Sequence, residues 1–268
     1  MSLSPSAIVH DDYGNKIPPH PGRGWTRFVC ISDTHSKTHY SIPAGDVLIH
    51  AGDLSSWGQL SQLEVTINWL TTLPHDAKVH LLHECLCRII AGNHDVCTCI
   101  LMNSIPLIWD VNAACALVRS DRVKRAGLHY LEHSVMELVT PQNGRCWKIY
   151  GSPAAPRYAP GCFQYESVKH AKEIYDRIPR DTEILLTHTP PHGTQDLSKR
   201  GIHAGCPHLS TRLGELDRCQ LHVFGHIHEG HGATVHDAMP GTGSISKVSV
   251  NAAVAWGGQP VIVDLRND

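Results

Sequence analysis

The chain has 268 residues, 41% of them hydrophobic, and carries 23 Lys and Arg against 25 Asp and Glu. The length and apolar content suffice for one sizeable core. The near balance of charge argues against a strong electrostatic footprint for nucleic acid or an acidic membrane.

The N-terminal stretch, residues 1–24, is rich in Pro, Gly and Ser and predicts an irregular arm. Residues 25–268 are expected to form a single domain. The first residues lack a basic stretch followed by an apolar segment, so neither a signal peptide nor a transmembrane helix is predicted. We therefore expect a cytoplasmic protein whose ten cysteines are reduced, buried thiols.

Two C-x-C pairs, Cys85/Cys87 and Cys97/Cys99, suggest a zinc site at first sight. Their single intervening residue departs from the two to four residues usual in structural zinc sites. We therefore do not assign a metal to them.

Metal-binding side chains recur along the chain directly after short, mostly apolar runs. The runs are partly β-branched, as strands buried on both faces should be. Each candidate ligand thus follows a predicted strand, and ligands at the ends of neighbouring strands of an α/β sheet converge on one crevice. The blocks are Asp33-Thr34-His35, Gly52-Asp53, Gly92-Asn93-His94-Asp95, Thr187-His188 and Gly225-His226-Ile227-His228, with Asn251 ending a last apolar run.

Two apolar stripes at helical spacing predict helices that face the core. They comprise Leu60, Leu63, Ile67 and Leu70 before Pro74, and Val168, Ala171, Tyr175 and Ile178 before Pro179.

Imidazole and carboxylate together are ligands for zinc, manganese or iron, whereas calcium and magnesium sites use oxygen ligands. One carboxylate can bridge two cations held about 3.5–4 Å apart, which then polarise a phosphoryl group and generate hydroxide from water. Asp53 is the predicted bridging ligand. The sequence therefore predicts two divalent metal ions as cofactors, drawn from Mn, Fe and Zn.

The ordered blocks resemble the calcineurin-like metallophosphoesterases, whose pattern of D-x-H, G-D, G-N-H-[DE], H and G-H-x-H is met without a gap over residues 28–265. They are most similar to the MPPED (metallophosphoesterase domain-containing) group of that superfamily. This resemblance implies an α/β fold, a four-layer αββα sandwich of two mixed β-sheets flanked by helices. The segment 75–87 is longer than the family pattern leads us to expect.

The resemblance also implies the role of each site residue. The first metal ion would take Asp33, His35, Asp53 and His228, and the second would take Asp53, Asn93, His188 and His226. His94 would act as the general acid on the leaving oxygen, and Asp95 would orient His94.

The implied function is a phosphodiesterase that hydrolyses small phosphodiesters, cyclic nucleotides among them, by attack of a metal-bound hydroxide. Arg157 and His203, in two loops beside the predicted site, are candidate substrate-binding residues. Two alternatives stay open: a catalytically weak nucleotide- or phosphate-binding regulatory protein, and a nuclease. The expected partner is a small phosphodiester or nucleotide. The sequence has no strong signal for binding nucleic acid, and no association with a membrane is expected. It does not indicate an oligomeric state.

Overall fold

A computed structural model describes residues 6–73, 87–90, 111–140, 144–157, 163–238 and 245–268 of the chain. The strands are Ala7–His10 (β1), Trp25–Ile31 (β2), Val47–His50 (β3), Cys87–Ile90 (β4), Leu128–Leu131 (β5), Ser134–Val139 (β6), Cys146–Ser152 (β7), Ala155–Pro156 (β8), Gln164–Tyr165 (β9), Ile184–Thr187 (β10), Leu221–Phe224 (β11), Gly232–His236 (β12), Lys247–Asn251 (β13) and Val261–Arg266 (β14). The α-helices are Leu60–Thr72 (α1), Val111–Val118 (α2), Asp121–Arg125 (α3), Val168–Tyr175 (α4) and Pro207–Gly214 (α5).

Two six-stranded mixed sheets organise the molecule. The first has the order β1-β14-β2-β3-β4-β5 and the second β12-β13-β11-β10-β7-β6. In the first sheet β2, β3, β4 and β5 run parallel to one another, β14 pairs antiparallel with β2, and β1 pairs antiparallel with β14. In the second sheet β13, β11, β10 and β7 run parallel to one another, and the edge strands β12 and β6 pair antiparallel with β13 and β7. Each sheet therefore has a set of parallel strands whose carboxyl ends share one edge.

The core lies in three apolar layers. The middle layer contains buried side chains of both sheets, among them Phe28, Ile49, Trp147, Leu186 and Val250. A second cluster packs α1, α2 and α3 against the first sheet, and a third packs α4 and α5 against the second. This is the predicted four-layer αββα sandwich, which the structure confirms.

The predicted helical stripes are confirmed in α1 and in most of α4. Leu63, Ile67 and Leu70 are buried in α1. In α4 the prediction was wrong for Val168, which is 72% exposed. Val168 is the first helical residue, directly after the cap Ser167, whose side chain accepts a hydrogen bond from the His170 backbone N–H, and it lies outside the stripe that faces the sheet.

The prediction of an irregular arm was wrong at Ala7–His10, which pairs antiparallel with β14, with Ala7 opposite Leu265. A short strand at a sheet edge is defined by its partner more than by its own composition. Residues 11–24, the remainder of the predicted arm, contain no helix or strand.

Cys30, Cys206 and Cys219 are buried free thiols, as predicted. Cys146 is an exposed free thiol, so the prediction of buried thiols was wrong for this residue. The Cys97/Cys99 pair and the side chains of Cys85 and Cys87 lie outside what the structure describes. Within the same described ranges, no helix has both the length and the apolar character that a bilayer crossing requires.

Candidate metal centre

Six of the seven predicted metal ligands follow strands of the two sheets and meet at one edge of the sandwich. Two come from loops after β2, one after β3, one after β10 and two after β11. The six are Asp33, His35, Asp53, His188, His226 and His228. Asn93, the seventh, lies outside the described residues together with His94 and Asp95.

Two groups of potential ligand atoms form within this cluster. Asp33, His35 and His228 make one group, and Asp33, Asp53 and His188 make the other, with the atoms of each group within 4.8 Å of one another. His228 Nε2 lies 3.1 Å from Asp33 Oδ1 and 3.4 Å from His35 Nε2. Asp33 thus belongs to both groups, and the two groups are adjacent.

The Asp53 carboxylate faces both halves of the cluster. Its Oδ2 lies 3.9 Å from His35 Nε2, and its Oδ1 lies 3.4 Å from His188 Nε2. His226 completes the His188 side, with ring centroids 5.0 Å apart. Asp53 therefore places one oxygen beside each half of the cluster.

Four of these residues adopt left-handed backbone conformations. The φ angles are 58° at Asp33, 46° at His35, 54° at Asp53 and 66° at His226. Such conformations cost on the order of 1–3 kcal/mol each in non-glycine residues and concentrate at functional sites. The loops after β2, β3 and β11 are therefore strained where they present their side chains.

Close backbone approach requires glycine at position 225. A Cβ there would lie 2.0 Å from Asp33 Oδ2 and 2.3 Å from Ser32 Oγ. The neighbouring His226 backbone N–H donates to Oδ1 and Oδ2 of Asp33 over 3.2 and 3.1 Å. The glycine of the G-H-x-H block thus lets the β11 loop contact the Asp33 carboxylate directly.

Backbone carbonyls orient two of the imidazoles. Nδ1 of His35 lies 3.3 Å from the Ser55 carbonyl oxygen, and Nδ1 of His188 lies 3.1 Å from the Ala51 carbonyl oxygen. Because a carbonyl only accepts, Nδ1 must carry the proton in both rings. Nε2 of each ring then faces the Asp53 carboxylate inside the cluster, and such outer partners fix ligand orientation in metal sites.

Asn251 holds the β11 loop in place. Its side-chain amide donates to the backbone oxygens of Ile227 and Gln195, over 2.8 and 2.9 Å, and its Oδ1 accepts from the Ala253 backbone N–H. Ile227 lies between His226 and His228. The asparagine that ends the last apolar run therefore positions ligands through the backbone.

The buried carboxylates remain ionised because histidines surround them. Burial raises the pKa of Asp33, but the hydrogen bond from His228 and the neighbouring imidazoles outweigh it and hold the pKa well below its usual range. Burial likewise opposes ionisation of Asp53, and His188 lowers its pKa. In return, the carboxylates overcome the effect of burial on His188 and raise its pKa to about 9.

The site has the donor set of a divalent cation centre. Burial and nearby His188 lower the pKa of His226 to about 3, so this imidazole is neutral at physiological pH. The carboxylates outweigh burial at His188 and His228 and raise the pKa of both. Two buried carboxylates and four imidazoles fit zinc, manganese or iron.

Two further histidines beside the ligands are structural. His50 Nε2 lies 2.9 Å from Thr34 Oγ1, and His222 Nε2 lies 2.8 Å from Thr187 Oγ1. All four side chains are fully buried. Each pair fixes the threonine that precedes a candidate ligand.

Arg157, a candidate substrate-binding residue, follows β8 and is exposed. Its guanidinium pairs with Glu166, which is also exposed. It lines a cavity of about 620 Å³ that also borders Ala204, Gly205 and Cys206.

His203, the second candidate, is paired with a buried carboxylate. Its Nδ1 lies 2.6 Å from Asp196 Oδ1, and Asp196 Oδ2 accepts from the backbone N–H groups of Gly193 and Gly205. The His203 ring lies 5.7 Å from that of His192, four residues after the ligand His188. The loop between β10 and α5 thus presents an oriented, half-exposed imidazole.

Sequence reasoning missed Trp256, whose ring centroid lies 5.2 Å from that of His228. Lys199 places its Nζ 3.5 Å from the centroid of the same indole. Trp256 lies 28 positions after His228, and no motif marks it, so only the fold reveals this contact.

Comparison with known proteins gives one family match over most of the chain. The family model of calcineurin-like phosphoesterases matches residues 26–230. Human metallophosphoesterase domain-containing protein 1 is 32% identical over 242 residues, which are 85% of this chain and 68% of that protein. A Caenorhabditis elegans protein of the UPF0046 group is 31% identical over 257 residues, covering 89% of this chain and 60% of its own length.

A fungal relative differs in name and size. Probable rhamnogalacturonate lyase C of Emericella nidulans is 37% identical over 214 residues. That match covers 78% of this chain but only 18% of the fungal protein, so the chain corresponds to a minor part of it.

Proposed function

The chain belongs to the calcineurin-like phosphoesterase family, and we propose that it is a binuclear metal-dependent phosphodiesterase acting on small diesters, cyclic nucleotides among them. The observation that carries the proposal is the Asp53 carboxylate, whose two oxygens face His35 and His188 separately. Two ions bridged by Asp53 would activate water and neutralise charge on the phosphoryl oxygens.

In this proposal Asp33, His35, Asp53 and His228 hold one ion, and Asp53, Asn93, His188 and His226 hold the other. The protein's task in phosphoryl transfer is mainly positioning and charge stabilisation. The strained loops and the carbonyl partners of His35 and His188 preset that geometry.

The remaining proposed roles concern protons and substrate binding. His94, oriented by Asp95, donates a proton to the leaving oxygen, as expected of an imidazole that titrates near neutral pH. Arg157 contributes a guanidinium for a phosphate oxygen, and His203 contacts the substrate from the opposite loop with its ring fixed by Asp196.

A substrate panel tests the proposal. Protein reconstituted with Mn²⁺ is assayed on bis-p-nitrophenyl phosphate, p-nitrophenyl phosphate, 2′,3′- and 3′,5′-cyclic nucleotides and single-stranded DNA, with metal content recorded. We expect metal-dependent turnover of the diesters above the monoester, and loss of turnover in His94→Ala. Two bound ions with no turnover of any substrate would instead favour a binding protein.

A further inference from the structure

Two aromatic side chains stand out among the large apolar groups that are exposed in the described ranges, Trp57 and Trp256. Trp256 is 56% exposed and lies in ring contact with His228, at an interplanar angle of 87°. This indole lies directly beside the proposed metal centre, in contact with the proposed ligand His228. We propose that Trp256, together with Lys199, stacks on the base of a nucleotide substrate.

The loop that carries Trp256 is fixed before any ligand binds. The Gly257 backbone N–H donates to the Val254 oxygen, and the His231 ring lies 2.8 Å from the Gln259 oxygen. At Gly258 a Cβ would lie 2.5 Å from the His231 ring. The indole is therefore held by a tight turn packed against the residues that follow the G-H-x-H block, and a rigid aromatic surface loses little entropy on binding.

Lys199 is tied to the short helical turn His228–Gly230. Its backbone N–H donates to Glu229 Oε1 over 3.1 Å, and Glu229 is the residue after His228. Its ammonium covers one face of the indole in a cation–π contact, which the short 3.5 Å distance favours.

An indole and a cation beside a phosphate-binding centre suit a nucleotide, in which a ribose joins an aromatic base to the phosphate. Stacking on an aromatic side chain tolerates any base because every base has a π-face. The inference rests on the proposed function and deepens it, since it selects nucleotide diesters over diesters that lack an aromatic group.

A pair of phosphate monoesters tests the base contact separately from catalysis. AMP and ribose 5-phosphate share the ribose 5-phosphate unit and differ in the adenine. Binding is measured by calorimetry, and by quenching of tryptophan fluorescence, on protein loaded with Zn²⁺. For the wild type we expect about tenfold tighter binding of AMP, as typical of one stacked base, with quenching by AMP only.

Substitutions test whether Trp256 makes the contact with the base. Trp256→Leu should lower AMP affinity about tenfold to the level of ribose 5-phosphate and remove the quenching, while binding of ribose 5-phosphate stays unchanged. Trp256→Phe should retain most of the preference because phenyl also stacks. Trp25→Leu is the matched control, since Trp25 also has a cation over its ring, Arg266, but lies at the opposite end of β2; it should keep the full preference.

The outcomes separate the two proposals. Equal affinity of the wild type for AMP and ribose 5-phosphate, or an unchanged preference in Trp256→Leu, overturns the stacking contact and leaves the phosphodiesterase intact. Failure of the Zn²⁺-loaded wild type to bind either compound overturns both.

Discussion

The backbone N–H of His226 donates to both side-chain oxygens of Asp33. Asp33 follows β2 of the first sheet and His226 follows β11 of the second, so this contact joins the two halves of the sandwich within the proposed metal centre. The carboxylate is oriented by the protein itself. The arrangement of the ligands is therefore a property of the fold, and changes to the backbone around Asp33 should affect metal binding.

Gly225→Ala tests this contact between the two sheets. A methyl group at position 225 would overlap Asp33 Oδ2 and Ser32 Oγ, and such overpacking costs about 1–3 kcal/mol of folding free energy. We expect a lower Tm in thermal unfolding and reduced metal content by mass spectrometry. Gly214→Ala, at the end of α5 with nothing within 4 Å of the new Cβ, is the control and should change neither; equal behaviour of the two variants would refute the steric argument.

Asn251→Asp tests the support of the β11 loop. The carboxylate cannot donate to the oxygens of Ile227 and Gln195, and each lost hydrogen bond costs about 0.5–1.5 kcal/mol. We expect weaker metal binding, measured by titration with a chelating competitor, and a lower Tm. Asn68→Asp on the exposed face of α1 should leave metal affinity unchanged. Wild-type affinity in Asn251→Asp would show that the ligands do not depend on this support.

The strand ends and ligand order were predictable because they depend on local pattern. Apolar runs before Asp33, Asp53 and His188 identify buried strands, and parallel strands bring their carboxyl ends together. β1 was not predictable in this way. Its pairing with β14 joins residues about 250 positions apart in the chain, and nothing in Ala7–His10 itself specifies that partner.

Trp256 was missed for a related reason. Its contact with His228 depends on the turn at Val254–Gly257 and on packing of Gly258 against His231, which no spacing rule captures. The second sheet was expected from family resemblance only. Long connections separate its parallel strands β7, β10, β11 and β13. The apolar runs predict the strands but not which strand pairs with which.

The buried His222 predicts acid sensitivity of the fold. Burial lowers its pKa to about 3 from the usual 6.5, so the unfolded state binds the proton more tightly than the folded state. Its contribution to stability is complete above pH 6.5 and is lost progressively as the pH falls toward 3. Denaturant unfolding of the metal-free protein should show this decline.

A substitution identifies the group responsible. His222→Leu, which cannot be protonated, should have a flatter stability profile between pH 6.5 and pH 4 than the wild type, although it loses the contact with Thr187. His39→Gln, at an exposed position, should retain the wild-type slope. An unchanged slope in His222→Leu would assign the acid sensitivity to other groups.

Arg157→Ala tests the proposed phosphate contact. The residue is exposed and paired with Glu166, and such surface pairs contribute only about 0–1 kcal/mol to stability, so the fold should tolerate the change. We expect a several-fold higher KM for bis-p-nitrophenyl phosphate with kcat unchanged, as for a group that binds ground and transition states equally. Arg180→Ala, from the exposed pair with Glu215, is the control. The same kinetics in both variants would show that Arg157 does not bind the substrate.

The most direct test of the central claim is hydrolysis of bis-p-nitrophenyl phosphate by wild-type and Asp53→Asn protein after loading with Mn²⁺, with bound metal counted in the same samples. The account predicts two ions and turnover in the wild type, and loss of both an ion and turnover in Asp53→Asn. Asp181→Asn, from an exposed pair with Lys148, should behave as the wild type. Two ions and undiminished turnover in Asp53→Asn would contradict the account.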